Sequence, residues 1–150
     1  MAELIGIASG VLTLAAFALD SSTSLYQAIK GFQNSPRSIR QLKEELEALG
    51  GVLQSLQQTA ASSNADLNAL KLPLLRCGKA CGEFEEVISK CSAHSDGLKK
   101  SFRDWAKLKY MGGDIDGFKH MLAGYKSTIS IALGDANLYV LYSTCNRLMR

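Results

Sequence analysis

Proline and aromatic residues are scarce in this chain of 150 residues: Pro36 and Pro73 are its only prolines, and Phe, Trp and Tyr together make up 7%. Sheets lean on aromatic and β-branched side chains, whereas long helices need proline kept out of their interiors, so the scarcity points to an all-α protein. Charge is missing from LIGIASGVLTLAAFAL, residues 4–19, and the only charge ahead of it is the acid Glu3. A secretory signal carries basic residues before its apolar core, which argues against that class. A permanent membrane span is disfavoured as well, because a helix of this length reaches ~24 Å against a hydrocarbon thickness of roughly 30 Å. Lengthening it would carry Asp20 into lipid at a cost of about 3 kcal/mol. Enzymatic signatures are also lacking: there is no nucleophile elbow, phosphate-cradling glycine loop or helical metal motif. No enzymatic activity and no cofactor is therefore expected.

What is present fits a single domain over residues 1–150. A chain of this length buries roughly two thirds of its unfolded surface without help from disulfides or metals. Cys77, Cys81, Cys91 and Cys145 come without a secretion signal, so thiols in a reducing, cytoplasmic compartment are expected. Cys77-x3-Cys81 and Cys91-x2-His94 have the look of ligand pairs, but along one helix they stand ~15 Å apart and cannot close one tetrahedral site. Three of the cysteines fall where leucine falls elsewhere in the helix seams, which suits a small core hydrophobe.

Apolar spacing sets out the helices. Residues 3–32 carry Leu4, Ile7, Val11, Leu14, Ala18, Leu25, Ala28 and Phe32 at three-four spacing, with Ser21 in one place, and Ile5, Leu12, Leu19 and Tyr26 on another face. A helix apolar on several faces is either wrapped by neighbours or placed in lipid. A second helix is expected from an N-cap at Ser35 with Pro36 in its first turn. Its seam is Ile39, Leu42, Leu46, Leu49, Leu53, Leu56 and Ala60, and Gly50-Gly51 marks a bend or a close crossing. The third helix carries Leu67, Leu70, Leu74, Cys77, Cys81, Phe84, Ile88 and Cys91, with a turn before Pro73 and the main helix after it. LKKSFRDWAKLKYM, residues 98–111, predicts a short amphipathic helix. The last helix starts from Asp114 as N-cap and follows Phe118, Leu122, Tyr125, Ile129, Ala132, Ala136 and Tyr139. There the stripe shifts to Leu138, Leu141, Cys145 and Leu148, where the helix is expected to drift or break. The expected architecture is an up-and-down bundle of four long helices plus one short amphipathic helix.

Two features stand out from this frame. Gly6-x3-Gly10 lies inside the uncharged stretch, and small residues four apart let helices approach closely, in a core or in lipid. The net charge of +3 is concentrated in residues 98–110, where Lys99, Lys100, Arg103, Lys107 and Lys109 outweigh Asp104. Lys99, Lys100, Arg103 and Lys107 fall on one helical arc, with Phe102, Trp105 and Leu108 opposite. This is either a solvated face over aromatic anchors or a contact for a partner or anionic lipid, where each basic residue contributes about 1 kcal/mol. So small a patch on a near-neutral domain does not suit nucleic acid.

The stretches GIASGVLTLA, SLYQAIKGFQNSPRSIRQLKEELEALGGVLQSL, LPLLRCGKACGEFEEVISKC, SFRDWAKLKYMGGDIDGF and MLAGYKSTISIALGDANL together resemble the fungal N-terminal domain of STAND (NOD-like receptor) proteins. This HeLo-like family is also labelled by the azaphilone pigment cluster protein L, and the resemblance covers residues 1–138. It implies a HeLo-like helical bundle serving as the effector end of a fungal innate-immunity or incompatibility receptor. Such a domain forms homo-oligomers, relocates from the cytoplasm to the plasma membrane and triggers regulated cell death through an N-terminal hydrophobic helix. A nucleotide-binding receptor in cis or in trans is the implied regulator. Carried onto this chain, the membrane-inserting positions are Leu4, Ile5, Gly6, Ile7, Gly10, Val11, Leu12, Leu14, Phe17 and Leu19. YVLYSTCNRLMR departs from the family's continuation. The competing expectation is a helical interaction module that signals by bundle-to-bundle contact and never touches lipid.

Overall fold

The computed structural model describes residues 10–31, 37–62, 66–92 and 115–149, without the side chains of Cys91 and Ser92. The described residues are all-helical, with no strand: α1 is Val11–Lys30, α2 Arg37–Ser62, α3 Lys71–Ser92 and α4 Ile115–Leu148, and a 3-10 turn at Asn68–Leu70 leads into α3. Ser35, Pro36, Asp114 and the expected short helix at 98–111 lie outside the described residues.

The start of α1 differs from the expected one. Gly10 is its N-cap, with extended backbone at φ −71° and ψ 162°, and its carbonyl accepts the first helical hydrogen bond from the Leu14 N–H at 3.1 Å. Glycine is the poorest helix former after proline, which is why the regular helix enters here rather than running through. Leu14, Ala15, Ala18, Ser22, Leu25 and Ile29 are buried. The inward series thus passes through Ser22 and Ile29 rather than Ser21 and Ala28, because a four-residue step after Ala18 keeps closer to the helical period. The buried Ser22 hydroxyl donates to the Leu19 carbonyl at 2.9 Å, so its burial leaves no polar atom unpaired.

In α2, Ile39, Leu42, Leu46, Leu49, Leu53 and Leu56 are all buried, as their spacing predicts. Gly50-Gly51 serves no close crossing. A Cβ at Gly50 would touch Leu19 at an ordinary 3.9 Å, and one at Gly51 would meet nothing within 4 Å among the described residues. In α3 the helix starts two residues ahead of Pro73 and includes Leu72, contrary to the expected turn. Backbone N–H groups in a helix's first turn have no intrahelical acceptor, so proline there breaks nothing. In α4, Ile115, Phe118, Leu122, Ile129, Leu133 and Ala136 are buried. The helix then continues unbroken to Leu148 instead of breaking, with Tyr139 exposed.

Side-chain pairs fix the directions. Phe17 lies over Gly78 and the Ser24 hydroxyl donates to Glu85 at 2.7 Å, so α1 and α3 run parallel. Leu19 against Gly50 and the Tyr26 hydroxyl donating to Glu47 at 2.7 Å make α1 and α2 antiparallel. Lys119 donates to Gln41 at 2.5 Å and Lys126 pairs with Glu45 at 2.9 Å, so α2 and α4 are parallel. Phe84 stacks on Phe118 with ring centroids 4.3 Å apart, and the other three pairings together make α3 and α4 antiparallel. Direction therefore alternates along the chain, yet the order around the bundle is α1, α2, α4, α3, with α2 and α3 on a diagonal. Between Ser62 and Lys71 the chain crosses the end of the bundle.

Gly78 is the glycine that the packing requires, because a Cβ there would fall 2.6 Å from Cδ2 of the Phe17 ring. A Cβ at Gly82, one turn on, would meet nothing within 4 Å among the described residues. Gly78→Ala is expected to lower stability in urea unfolding by about 1 kcal/mol or more, overpacking outweighing the gain in helix propensity. Gly82→Ala is expected to raise it by up to about 1 kcal/mol; equal responses would contradict the close α1–α3 contact.

Candidate functional site

The parallel α1 and α3 put the N-terminus of α1, the C-terminus of α2, the N-terminus of α3 and the C-terminal part of α4 at one end of the bundle. Two adjoining grooves open there. One, of about 470 Å³, is bordered by Gly10, Val11, Leu12, Ala60, Asp66, Leu67 and Asn68. The other, of about 490 Å³, is bordered by Asp66, Leu67, Ala69, Leu70, Ala132, Asp135, Ala136 and Tyr139. Asp66 accepts a hydrogen bond from the Asn68 N–H at 3.0 Å, which shapes the turn between them. Among the described residues no three His, Cys, Asp or Glu side chains gather closely enough to hold a metal ion.

Of the positions expected to enter a membrane, Leu4, Ile5, Gly6 and Ile7 lie outside the described residues. The others do not form one face. Gly10 is extended and a Cβ there would meet nothing within 4 Å among the described residues. Val11 is half-buried, Leu12 is 45% exposed and Leu14 is fully buried. Phe17 is half-buried over Gly78, and Leu19 is half-buried near Gly50. The downstream half of the uncharged stretch is therefore built into the core, with Ala15 and Ala18 wholly enclosed beside Leu14. Close helix approach comes from Gly78, not from Gly10. The signal for it was present as Gly78-x3-Gly82 within CGKACG, where the cysteines drew the chemical reading. No helix among the described residues is long and apolar enough to cross a membrane.

Lys99, Lys100, Arg103 and Lys107 also lie outside the described residues. The points where their segment joins the bundle, Ser92 and Ile115, are at the end opposite Gly10. A helix the length of α1 spans ~30 Å, which is the approximate separation between the attachments of the two features expected to meet lipid.

Cys77 and Cys81 are buried free thiols one turn apart on α3, and Cys145 is an exposed one on α4. The hydrogen bond with Cys77 pushes the Cys81 thiol up, reinforced by burial and by the Glu85 carboxylate. Burial likewise raises the Tyr125 hydroxyl, with Cys77 adding to it. The Cys81 thiol and the Tyr125 hydroxyl therefore stay protonated at neutral pH. On the surface, the hydrogen bond to Glu47 raises the Tyr26 hydroxyl.

The family model described as "Pigment biosynthesis cluster protein PigL N-terminal" matches residues 2–149 of the chain, so the match runs on past residue 138 through the stretch YVLYSTCNRLM that was expected to depart from the family. No curated protein and no solved structure matches it.

Thiolate is the reactive form of cysteine, so access and protonation together set the rate of alkylation. In the native protein, maleimide followed by peptide mapping is expected to modify Cys145 at least roughly tenfold faster than Cys77 or Cys81. Equal labelling of Cys81 would show that the α3 core is open.

Proposed function

The chain belongs to the PigL N-terminal family, a HeLo-like fungal N-terminal domain, and we propose that it is a non-enzymatic effector and signalling domain of a fungal NOD-like receptor system. Clustered by a nucleotide-binding receptor in cis or in trans, copies oligomerise and relocate from the cytoplasm to the plasma membrane. The N-terminal apolar stretch then enters anionic lipid and initiates regulated cell death. Lys99, Lys100, Arg103 and Lys107 supply the headgroup attraction.

The observation that carries this reading is the position of α1. The helix that continues the uncharged stretch packs on both α2 and α3, so its downstream half is held in the resting bundle by Leu14, Ala15, Ala18 and the Phe17–Gly78 contact. Exposing a leucine such as Leu14 costs about 1.5–3 kcal/mol, a large share of a domain stability of about 5–15 kcal/mol. Insertion beyond residue 10 is thereby conditional, which suits an effector that is silent until clustered. The same burial also favours a second reading, a helical interaction module that signals through bundle contacts alone.

Dye release from vesicles containing anionic lipid separates the two, using the intact chain, a chain lacking residues 2–9 and Gly78→Ala. The deletion stops at residue 9 because one reaching residue 19 would remove Leu14, Ala15 and Ala18 from the core. The effector reading expects release by the clustered intact chain, its loss on deletion and a several-fold increase in Gly78→Ala. Helical circular dichroism with no release from any of the three would leave the interaction module standing.

A further inference from the structure

We propose that the outward face of α4 is a coiled-coil seam that pairs with the same face of a second copy of this chain. The inference rests on the self-association in the reading above and gives it a surface, but it does not depend on the membrane step.

The helix carries two apolar stripes. The buried one, from Ile115 to Ala136, faces the bundle. The second consists of Ile131, Leu138, Leu141, Cys145 and Leu148, and at 3.6 residues per turn it lies roughly 140° around the helix from the first. Ile131, Leu138, Leu141 and Leu148 are between 62% and 82% exposed, and Cys145 is exposed too. The seam is not a frayed end left over from the core. Ile131 faces outward beside Ile129 and Leu133, which are buried in the bundle, so both stripes run side by side before the helix outgrows its neighbours.

The spacing identifies the occupant. Ile131, Leu138 and Cys145 recur every seventh residue, as do Gly134, Leu141 and Leu148. Interleaved in this way they form the a and d positions of a heptad, which knobs-into-holes packing matches with a second helix of the same period. A second copy supplies that helix. The seam carries no charge and is flanked by one acid, Asp135, so identical faces meet without a run of like charges and nothing selects an oppositely charged partner. Short helices associate marginally on their own. The pairing is therefore concentration-dependent and tightens when a receptor holds copies together.

Sedimentation equilibrium over a wide concentration range tests the seam, with circular dichroism and thermal unfolding as folding controls. The intact chain is expected to dimerise or form a higher oligomer. Leu138→Glu with Leu141→Glu is expected to raise the dissociation constant more than tenfold while helicity and unfolding temperature hold, because neither side chain is in the core. Val140→Glu, on the other side of the same exposed segment, is expected to leave association unchanged. An intact chain that stays monomeric, or a Val140→Glu as damaging as the seam variant, overturns the proposal. A monomeric chain that still released dye from vesicles would remove the seam and keep the effector reading. Loss of vesicle binding in the seam variant, without any solution oligomer, would reassign this face to lipid.

Discussion

The contact of α1 with α3 is the constraint on which the rest of the bundle depends. Ala15, Ala18 and Ser22 give α1 a narrow buried face, and Gly78 leaves space for the Phe17 ring where any larger residue would displace it. Close approach there lets one helix serve two partners, with α2 antiparallel on one side and α3 parallel on the other. The parallel pairing has a topological consequence. Since α3 takes the place beside α1, the chain must cross the end of the bundle after α2, and α4 is left to close the square between α2 and α3. The grooves bordered by Asp66 and Leu67 lie where this crossing meets α1 and α4.

How much of this could be read from the residues depends on the kind of information each feature needs. The seam of α2 was fully legible, since Ile39 through Leu56 alternate by threes and fours on a helix that buries one face only. The all-helical class followed from composition. Order around the bundle was not legible, because apolar periodicity says which face is buried but not against which helix. The slip from Ser21 to Ser22 arose for a related reason: in a stretch apolar on several faces, two series compete and packing chooses. The start of α3 was misread because proline was weighed as a breaker without regard to its place in the first turn. Gly10 was read as a small contact residue, whereas its extended backbone makes it the point where the helix begins.

The far end of α4 shows the opposite case. The shift of the stripe to Leu138, Leu141, Cys145 and Leu148 was visible in the sequence, but drift and a second face give the same local pattern. Only the continuous helix to Leu148, together with the burial of Leu133 and Ala136 on the other side, shows that two apolar faces coexist on one element. A helix of this kind is stable in its bundle through one face and remains adhesive through the other, and no change of conformation is needed to expose the second.

Geometry then limits how the parts can act together. Gly10 and the exposed part of α4 belong to the same end of the bundle, so pairing through the outward seam, whether side by side or end to end, gathers the points from which the N-terminal stretches leave. The basic segment joins at the other end, between Ser92 and Ile115, about one helix length of ~30 Å away. A bundle standing on a membrane by one end would keep the other attachment out of reach of the surface. The two attachment points come near a single leaflet together when the bundle lies along it, with α1 in its place between α2 and α3. Since α1 is the helix on which both of those pack, its departure would dismantle the resting arrangement.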